Sequence, residues 1–219
     1  MHGFFIGNLF ANKRFVVYID DLVTEMIYAL QGQEHRDGNY CYIPIVHTTT
    51  LGQIVDLLYS FKESRKTLEV PNMSNDFAKK LYSTYLSYLP EDQLSYPLKM
   101  NINERSSFTE IIRTPDRGQF SVNISKPNIT KGNHWHHTKN EKFVVLSGKG
   151  VIRLKNIGDP DAKVIEYYVS GDKIVVVDIP SGYTHHIENL GDTDMVTFMW
   201  ANETFNSEKP DTFFEPIEI

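Results

Sequence analysis

The sequence predicts an α+β protein in two parts, a mixed helical part over residues 1–100 and an all-β barrel or sandwich over 101–219. Three observations predict it. Apolar residues in the first part recur at helical spacing. The second part reads as short β-branched and aromatic runs cut by Gly or Pro turns. Within that second part, several histidines and a carboxylate are spaced to meet on one side of extended chain.

Taken in order, Arg14–Ile19 is a short β-branched run and reads as a strand. Asp20 or Asp21 is placed to cap a helix that continues to Gln31. Tyr40–His47 alternates like a second strand. Thr50 precedes a helix in which Ile54, Leu57, Leu58 and Phe61 share a face. Phe77–Tyr88 gives a third helix, ended ahead of Pro90 because the residue before proline disfavours helical backbone.

Beyond residue 100 the helical pattern stops. Phe108–Arg113, Phe120–Ser125, Lys142–Leu146, Val151–Lys155, Val164–Val169, Lys173–Asp178 and Met195–Trp200 read as strands. Turn residues separate them at 118, 132, 148–150, 158–160, 171 and 180–182. Gly148-Lys149-Gly150 reads as a hairpin turn. There is no internal repeat and no low-complexity tract.

Composition narrows the classes. Hydrophobic content of 41% with 23% charged residues is that of an ordinary globular protein. A net charge of -6 argues against a broad nucleic-acid surface. Cys41 is the single cysteine, so an intrachain disulfide framework is excluded and a reducing compartment is favoured. The opening residues do not read as a signal peptide, and no apolar run approaches the ~20 residues of a membrane span. The expectation is a cytoplasmic protein with neither nucleic-acid nor membrane partners.

The most informative stretch is His134-Trp135-His136-His137-Thr138-Lys139-Asn140-Glu141. His134 and His136 share one face of a strand, and Glu141 returns on the next segment. Downstream, Pro180-Ser181-Gly182-Tyr183-Thr184-His185 adds another imidazole, with Asn189 closing the segment. Parity selects His134, His136, Glu141 and His185 and turns His137 and His186 away. Imidazoles with a carboxylate suit a divalent metal, zinc by preference among several ions that accept the same donors. A polar pocket using the same histidines as bases, without metal, is the alternative.

The spacing H-x-H-x4-E-x6-G followed by P-x-G-x2-H-x3-N resembles the cupin barrel signature, the double-stranded β-helix or jelly roll. Asn128 stands where that pattern prefers glycine, and asparagine tolerates a left-handed backbone. Longer runs go further. Gln119-Phe-Ser-Val-Asn-Ile-Ser-Lys-Pro, Thr130 through Phe143, Ile179-Pro-Ser-Gly-Tyr-Thr-His, Asp194 through Glu203 and Lys209-Pro-Asp-Thr resemble the bacterial capsular polysaccharide biosynthesis family CapF. That family joins a short-chain dehydrogenase/reductase domain to a cupin. The resemblance implies a C3 epimerase acting on a UDP-linked 4-keto-6-deoxy-N-acetylamino sugar, in the synthesis of UDP-N-acetyl-L-fucosamine precursors. It implies that NADPH-dependent C4 reduction belongs to a reductase half whose nucleotide-binding front is missing here. No Gly-rich dinucleotide fingerprint occurs, and no tyrosine is followed four residues on by lysine. Residues 1–100 then read as the substrate-side portion of a reductase-like domain, with Val16–Val23 resembling its late segment.

Epimerisation beside a ketone needs a base, an acid and positive charge near the oxygen. Tyr183 is a candidate acid, and a packing residue otherwise; His137, Lys142 and His186 are candidate bases if bulges turn them inward, and surface residues otherwise. Lys126, Lys131 and Arg113, with Arg105 and Arg117, are candidates for the pyrophosphate, and Trp135 for stacking. A homodimer is expected. A metal-stabilised dimerisation module without activity, and a general cupin oxygenase or isomerase, stay open beside the epimerase.

Overall fold

The computed structural model describes residues 12–218, so the opening residues read above as lacking a signal peptide lie outside the described ones. The chain divides into two compact units. One extends to Thr67 and includes Pro71–Ser95; the other takes Leu68–Val70 and Tyr96 onward.

In the first unit β1 (Lys13–Val16) leads into α1 (Ile19–Leu30). Two short strands, β2 (Arg36–Asp37) and β3 (Tyr40–Cys41), pair with each other, and β4 (His47–Thr50) pairs antiparallel with β1. Two helices follow, α2 (Leu51–Thr67) and α3 (Asp76–Ser87). Their starts are chemically marked. The Gln53 N–H donates to Thr50 Oγ1 at 3.1 Å while the Thr50 N–H donates to Gln53 Oε1 at 3.0 Å, a reciprocal capping box. Asn75 Oδ1 accepts the Ala78 N–H and caps α3. Phe61 of α2 is fully buried, its ring 5.0 Å from Tyr82 and 5.7 Å from Tyr85 of α3.

Three expectations are corrected here. The first strand ends at Val16, and Ile19 already belongs to α1. Neither Asp20 nor Asp21 caps that helix. The N-cap is Tyr18, without a side-chain bond, and both aspartates lie inside the first turn, where the helix dipole favours negative charge. The run Tyr40–His47 does not form one strand. Pro44 offers no N–H to a ladder, and pairing stops at Cys41 and resumes at His47.

The second unit is two antiparallel sheets. Its strands are β5 (Met100–Ile102), β6 (Ser106–Thr114), β7 (Gly118–Ser125), β8 (Thr130–Trp135), β9 (Glu141–Ser147) and β10 (Lys149–Asn156). They continue with β11 (Ile165–Ser170), β12 (Val176–Ile179), β13 (Tyr183–Asn189), β14 (Met195–Ala201) and β15 (Phe213–Phe214). One sheet runs β11-β10-β13-β8-β15, the other β12-β9-β14-β7-β6-β5. Phe143, Val145, Ile152, Leu154, Val169, Val177, Ile179, Ile187 and Met195 form a common core drawn from both sheets. Burying each such side chain contributes about 1.5–3 kcal/mol, which offsets the cost of ordering the strands.

Gly148 does not close a hairpin. β9 pairs with β12 and β14, whereas β10 pairs with β11 and β13, so the turn carries the chain from one sheet to the other. Gly148 has φ +86°, and a Cβ there would sit 2.9 Å from Met195 Cα, so glycine suits the crossing on both counts. Asn128 adopts φ +61°, the left-handed backbone anticipated for it. Among the described residues no helix is long and apolar enough to cross a membrane.

Candidate metal centre

β8 and β13 lie side by side, with His185 opposite His134. His136 follows two residues after His134, just past the end of β8, and Glu141 opens β9 in the other sheet. One ligand atom from each of His134, His136, Glu141 and His185 lies within 4.8 Å of every other. Glu141 Oε2 stands 3.0 Å from His185 Nε2 and 3.4 Å from His136 Nε2. These separations suit donors around one ion, since ligands ~2.1 Å from a metal stand roughly 3–4 Å apart.

The donor atoms also match in their bonding. His136 Nε2, Glu141 Oε2 and His185 Nε2 are buried and make no hydrogen bond of normal geometry. Buried polar atoms are otherwise almost always satisfied. The opposite ring nitrogens are engaged: His136 Nδ1 with the Asp211 carbonyl oxygen, and His185 Nδ1 with the Tyr183 carbonyl oxygen at 3.3 Å. A proton on Nδ1 leaves the Nε2 lone pair directed at the shared centre, the tautomer that a metal-binding imidazole needs. Burial, then the nearby His185, lowers the His134 pKa to about 4, which keeps it neutral. Burial alone would raise the Glu141 carboxyl, but contacts from His136 and His185 outweigh it and hold the group well below the usual range. Three imidazoles and one carboxylate at these separations therefore fit a divalent ion.

Asp211 orders the loop between these ligands. Its carboxylate accepts the N–H groups of His137 at 2.9 Å, Thr138 at 2.8 Å and Lys139 at 3.0 Å, and the Thr138 hydroxyl at 3.2 Å. Those donors hold its pKa far below normal even though burial pushes the other way. The only sequence signal for Asp211 was its place in the run Lys209-Pro-Asp-Thr, which says nothing about the loop.

His134, Glu141 and His185 of the cluster line a cavity of about 220 Å³, with Phe108, Asn123, Lys131, Phe143 and Met199 on its other sides. Lys131 crosses to the opposite sheet, where its Nζ donates to Asn123 Oδ1 at 2.6 Å. Of the side chains suggested for substrate binding, Lys131 is the one brought into this cavity. Lys126 is exposed and bonded to Asp194. Arg113 is paired twice with Glu110, Arg117 is exposed beside Asp116, and Arg105 reaches the Thr130 carbonyl oxygen. Trp135 stacks on Phe213 at 4.7 Å instead of lining the cavity.

The candidate proton-transfer residues also separate. Tyr183 packs against the core and does not line the cavity. His137 is exposed, its ring edge-on to Trp135 and Phe213. Lys142 is exposed and bonded to Asp178. No bulge turns either inward. His186 does face away from the cluster, but it is 4% exposed and not the surface residue expected. Its Nδ1 meets Asn133 Oδ1 at 2.8 Å and its Nε2 lies 3.3 Å from an Arg153 nitrogen.

Residues 101–213 match the family described as polysaccharide biosynthesis C-terminal domain. A curated relative from Pseudomonas aeruginosa, UDP-2-acetamido-2,6-beta-L-arabino-hexul-4-ose reductase, is 38% identical over 198 residues, 90% of this chain and 52% of that protein. The spore coat polysaccharide biosynthesis protein SpsL of Bacillus subtilis is 24% identical over 122 residues, 52% of this chain and 81% of that protein. The crystal structure of the capsular polysaccharide assembling protein CapF from Staphylococcus aureus is 60% identical with a TM-score of 0.89, covering 94% of this chain and 55% of that one. The chain spans about half the length of the first and last of these.

Proposed function

The chain belongs to the polysaccharide biosynthesis C-terminal domain family, and from that premise we propose that its second unit is a cupin-type epimerase. The substrate is a UDP-linked 4-keto-6-deoxy-N-acetylamino sugar, inverted at C3, on the route to UDP-N-acetyl-L-fucosamine. His134, His136, Glu141 and His185 hold a divalent metal, zinc by preference. Reduction at C4 with NADPH falls to the further half of the longer relatives. Residues 1–100 are read as the substrate-side portion of that reductase and 101–219 as the cupin, working in the cytoplasm as a homodimer.

The observation that carries this reading is the four-residue cluster, three members of which (His134, Glu141 and His185) line a cavity that also holds Lys131. A ketone at C4 acidifies the hydrogen at C3, because the carbanion left behind delocalises onto the ketone oxygen. When bound, a divalent metal supplies positive charge that favours this enolate. The chain's own residues do the rest. Phe108, Phe143 and Met199 give the cavity apolar walls that limit water, strengthening electrostatic interactions inside. Asn123, 2% exposed, holds the Lys131 ammonium from the facing sheet.

The test is exchange of the C3 hydrogen for deuterium in the 4-keto UDP-sugar, with metal-loaded protein and no NADPH. Exchange followed by appearance of the C3 epimer is expected. Folded, metal-loaded protein that leaves the C3 hydrogen untouched overturns the epimerase and leaves a metal-stabilised module.

A further inference from the structure

Lys131 and His134 are three residues apart, so in a regular strand they face opposite sides of the sheet. Here both line one cavity. The cause is an interruption in β8: His134 pairs with His185 and Gly132 with His186, which leaves Asn133 as an extra residue. Asn133 takes φ +59° and Gly132 φ +114°. The bulge is tied down from behind by the contact between Asn133 Oδ1 and His186 Nδ1. It keeps His134 with the metal ligands and also delivers an ammonium side chain to the same space.

Among the described residues, Lys131 is the one lysine or arginine lining that cavity, and no carboxylate lies in ion-pair range of it. Its partner is the neutral Asn123 amide, which is itself held through Nδ2 to Ser125 Oγ at 2.7 Å. A lysine whose role is structural usually meets an acid. This one is held by a single neutral oxygen, leaving the rest of its valence for a bound molecule.

We propose that Lys131 is the base that removes the C3 proton from the 4-keto sugar, an inference that rests on the epimerase reading above. The neutral amine forms an N–H bond as the C3–H bond breaks. The released electron pair becomes the C3–C4 double bond, and the ketone π pair moves onto O4. A water on the opposite face then delivers a proton to C3 as the ketone re-forms. The hydroxide left behind is neutralised by the Lys131 ammonium through bulk water. Burial, and then the charge of Arg105, lowers the Lys131 pKa, which raises the fraction of free amine. The charged or titratable groups around it are Arg105, His134, Glu141 and His185.

The experiment measures C3 deuterium exchange and KM with the same UDP-linked 4-keto sugar and metal-loaded full chain. K131M is expected to slow exchange by at least about 100-fold, with KM and metal content close to wild type. K131R keeps the positive charge but cannot act as an amine base, and is expected to be equally slow. Added methylamine is expected to restore part of the exchange to K131A. Exchange by K131M or K131R at close to the wild-type rate overturns the inference, as does a K131M defect confined to KM, which makes Lys131 a binding residue. If wild type exchanges and K131M does too, only Lys131 falls; if wild type does not exchange, the epimerase reading falls with it.

Discussion

His185 and His186 are neighbours on β13, both buried and on opposite faces of one sheet, yet their chemical positions differ. His186 has partners at both ring nitrogens, Asn133 and Arg153, and Arg153 is fixed in turn by Glu166 and Glu188 at 2.6 Å each. His185 has one satisfied nitrogen, while its Nε2 meets only other ligand atoms. Burial alone therefore does not distinguish a ligand from a framework residue. The unfilled valence does, because leaving it empty costs about 1–3 kcal/mol unless something completes it.

The largest expected effect tests that contrast directly. His185→Ala should abolish stoichiometric metal binding, whereas His186→Gln should retain one metal per chain. Elemental analysis checks both. In wild type, metal at 1,000 times its Kd should add about 4 kcal/mol of stability, and His185→Ala should lose that increment. Equal metal content in the two variants would remove the distinction.

Next in size is the bulge behind them. Gly132 has φ +114°, and a Cβ there would lie 2.6 Å from the His185 carbonyl oxygen. Gly132→Ala is expected to cost about 1–3 kcal/mol in denaturant unfolding. It should also weaken metal binding, because the strain falls between two ligand strands. His186→Gln, losing a buried bond, is expected to cost about 1 kcal/mol.

Acid should act on the ligand face. Since burial lowers the His134 pKa to about 4, below the ordinary 6.5, the unfolded chain takes up this proton first as pH falls. The stabilisation is complete above pH 6.5 and is lost down to about 4, at up to ~1.4 kcal/mol per pH unit in metal-free protein. His134→Ala should flatten that slope in urea titrations across this range. Smallest of all, Lys126→Ala should change stability by under about 1 kcal/mol, since its pairing with Asp194 is exposed.

Much of the candidate cluster was legible because the nearness of its residues depends on local parity. His134 and His136 are two apart, and His185 lies in a segment whose Pro and Gly mark its start. The helices were legible for a similar reason, since Thr50 with Gln53, Asn75 and Pro90 act within a few residues of themselves. What was hidden needs a partner strand to be known. The bulge at Asn133 exists relative to β13, and Gly148 looks like a hairpin until its flanking strands are seen in different sheets. β7 is a sharper case. Its apolar residues Phe120, Val122 and Ile124 are only partly buried, while Gln119, Ser121, Asn123 and Ser125 are buried. A rule that sends the apolar side inward misplaces this strand, because the buried side includes the polar wall of a cavity.

Asp211 has a consequence for the order of events in the cell. During translation the histidines at 134, 136 and 185 leave the ribosome before the aspartate whose carboxylate gathers the loop at 137–139. A nascent chain halted ahead of it presents the imidazoles with that loop still unpinned. In such a chain His136 lacks its Nδ1 partner and three loop N–H groups lack their common acceptor.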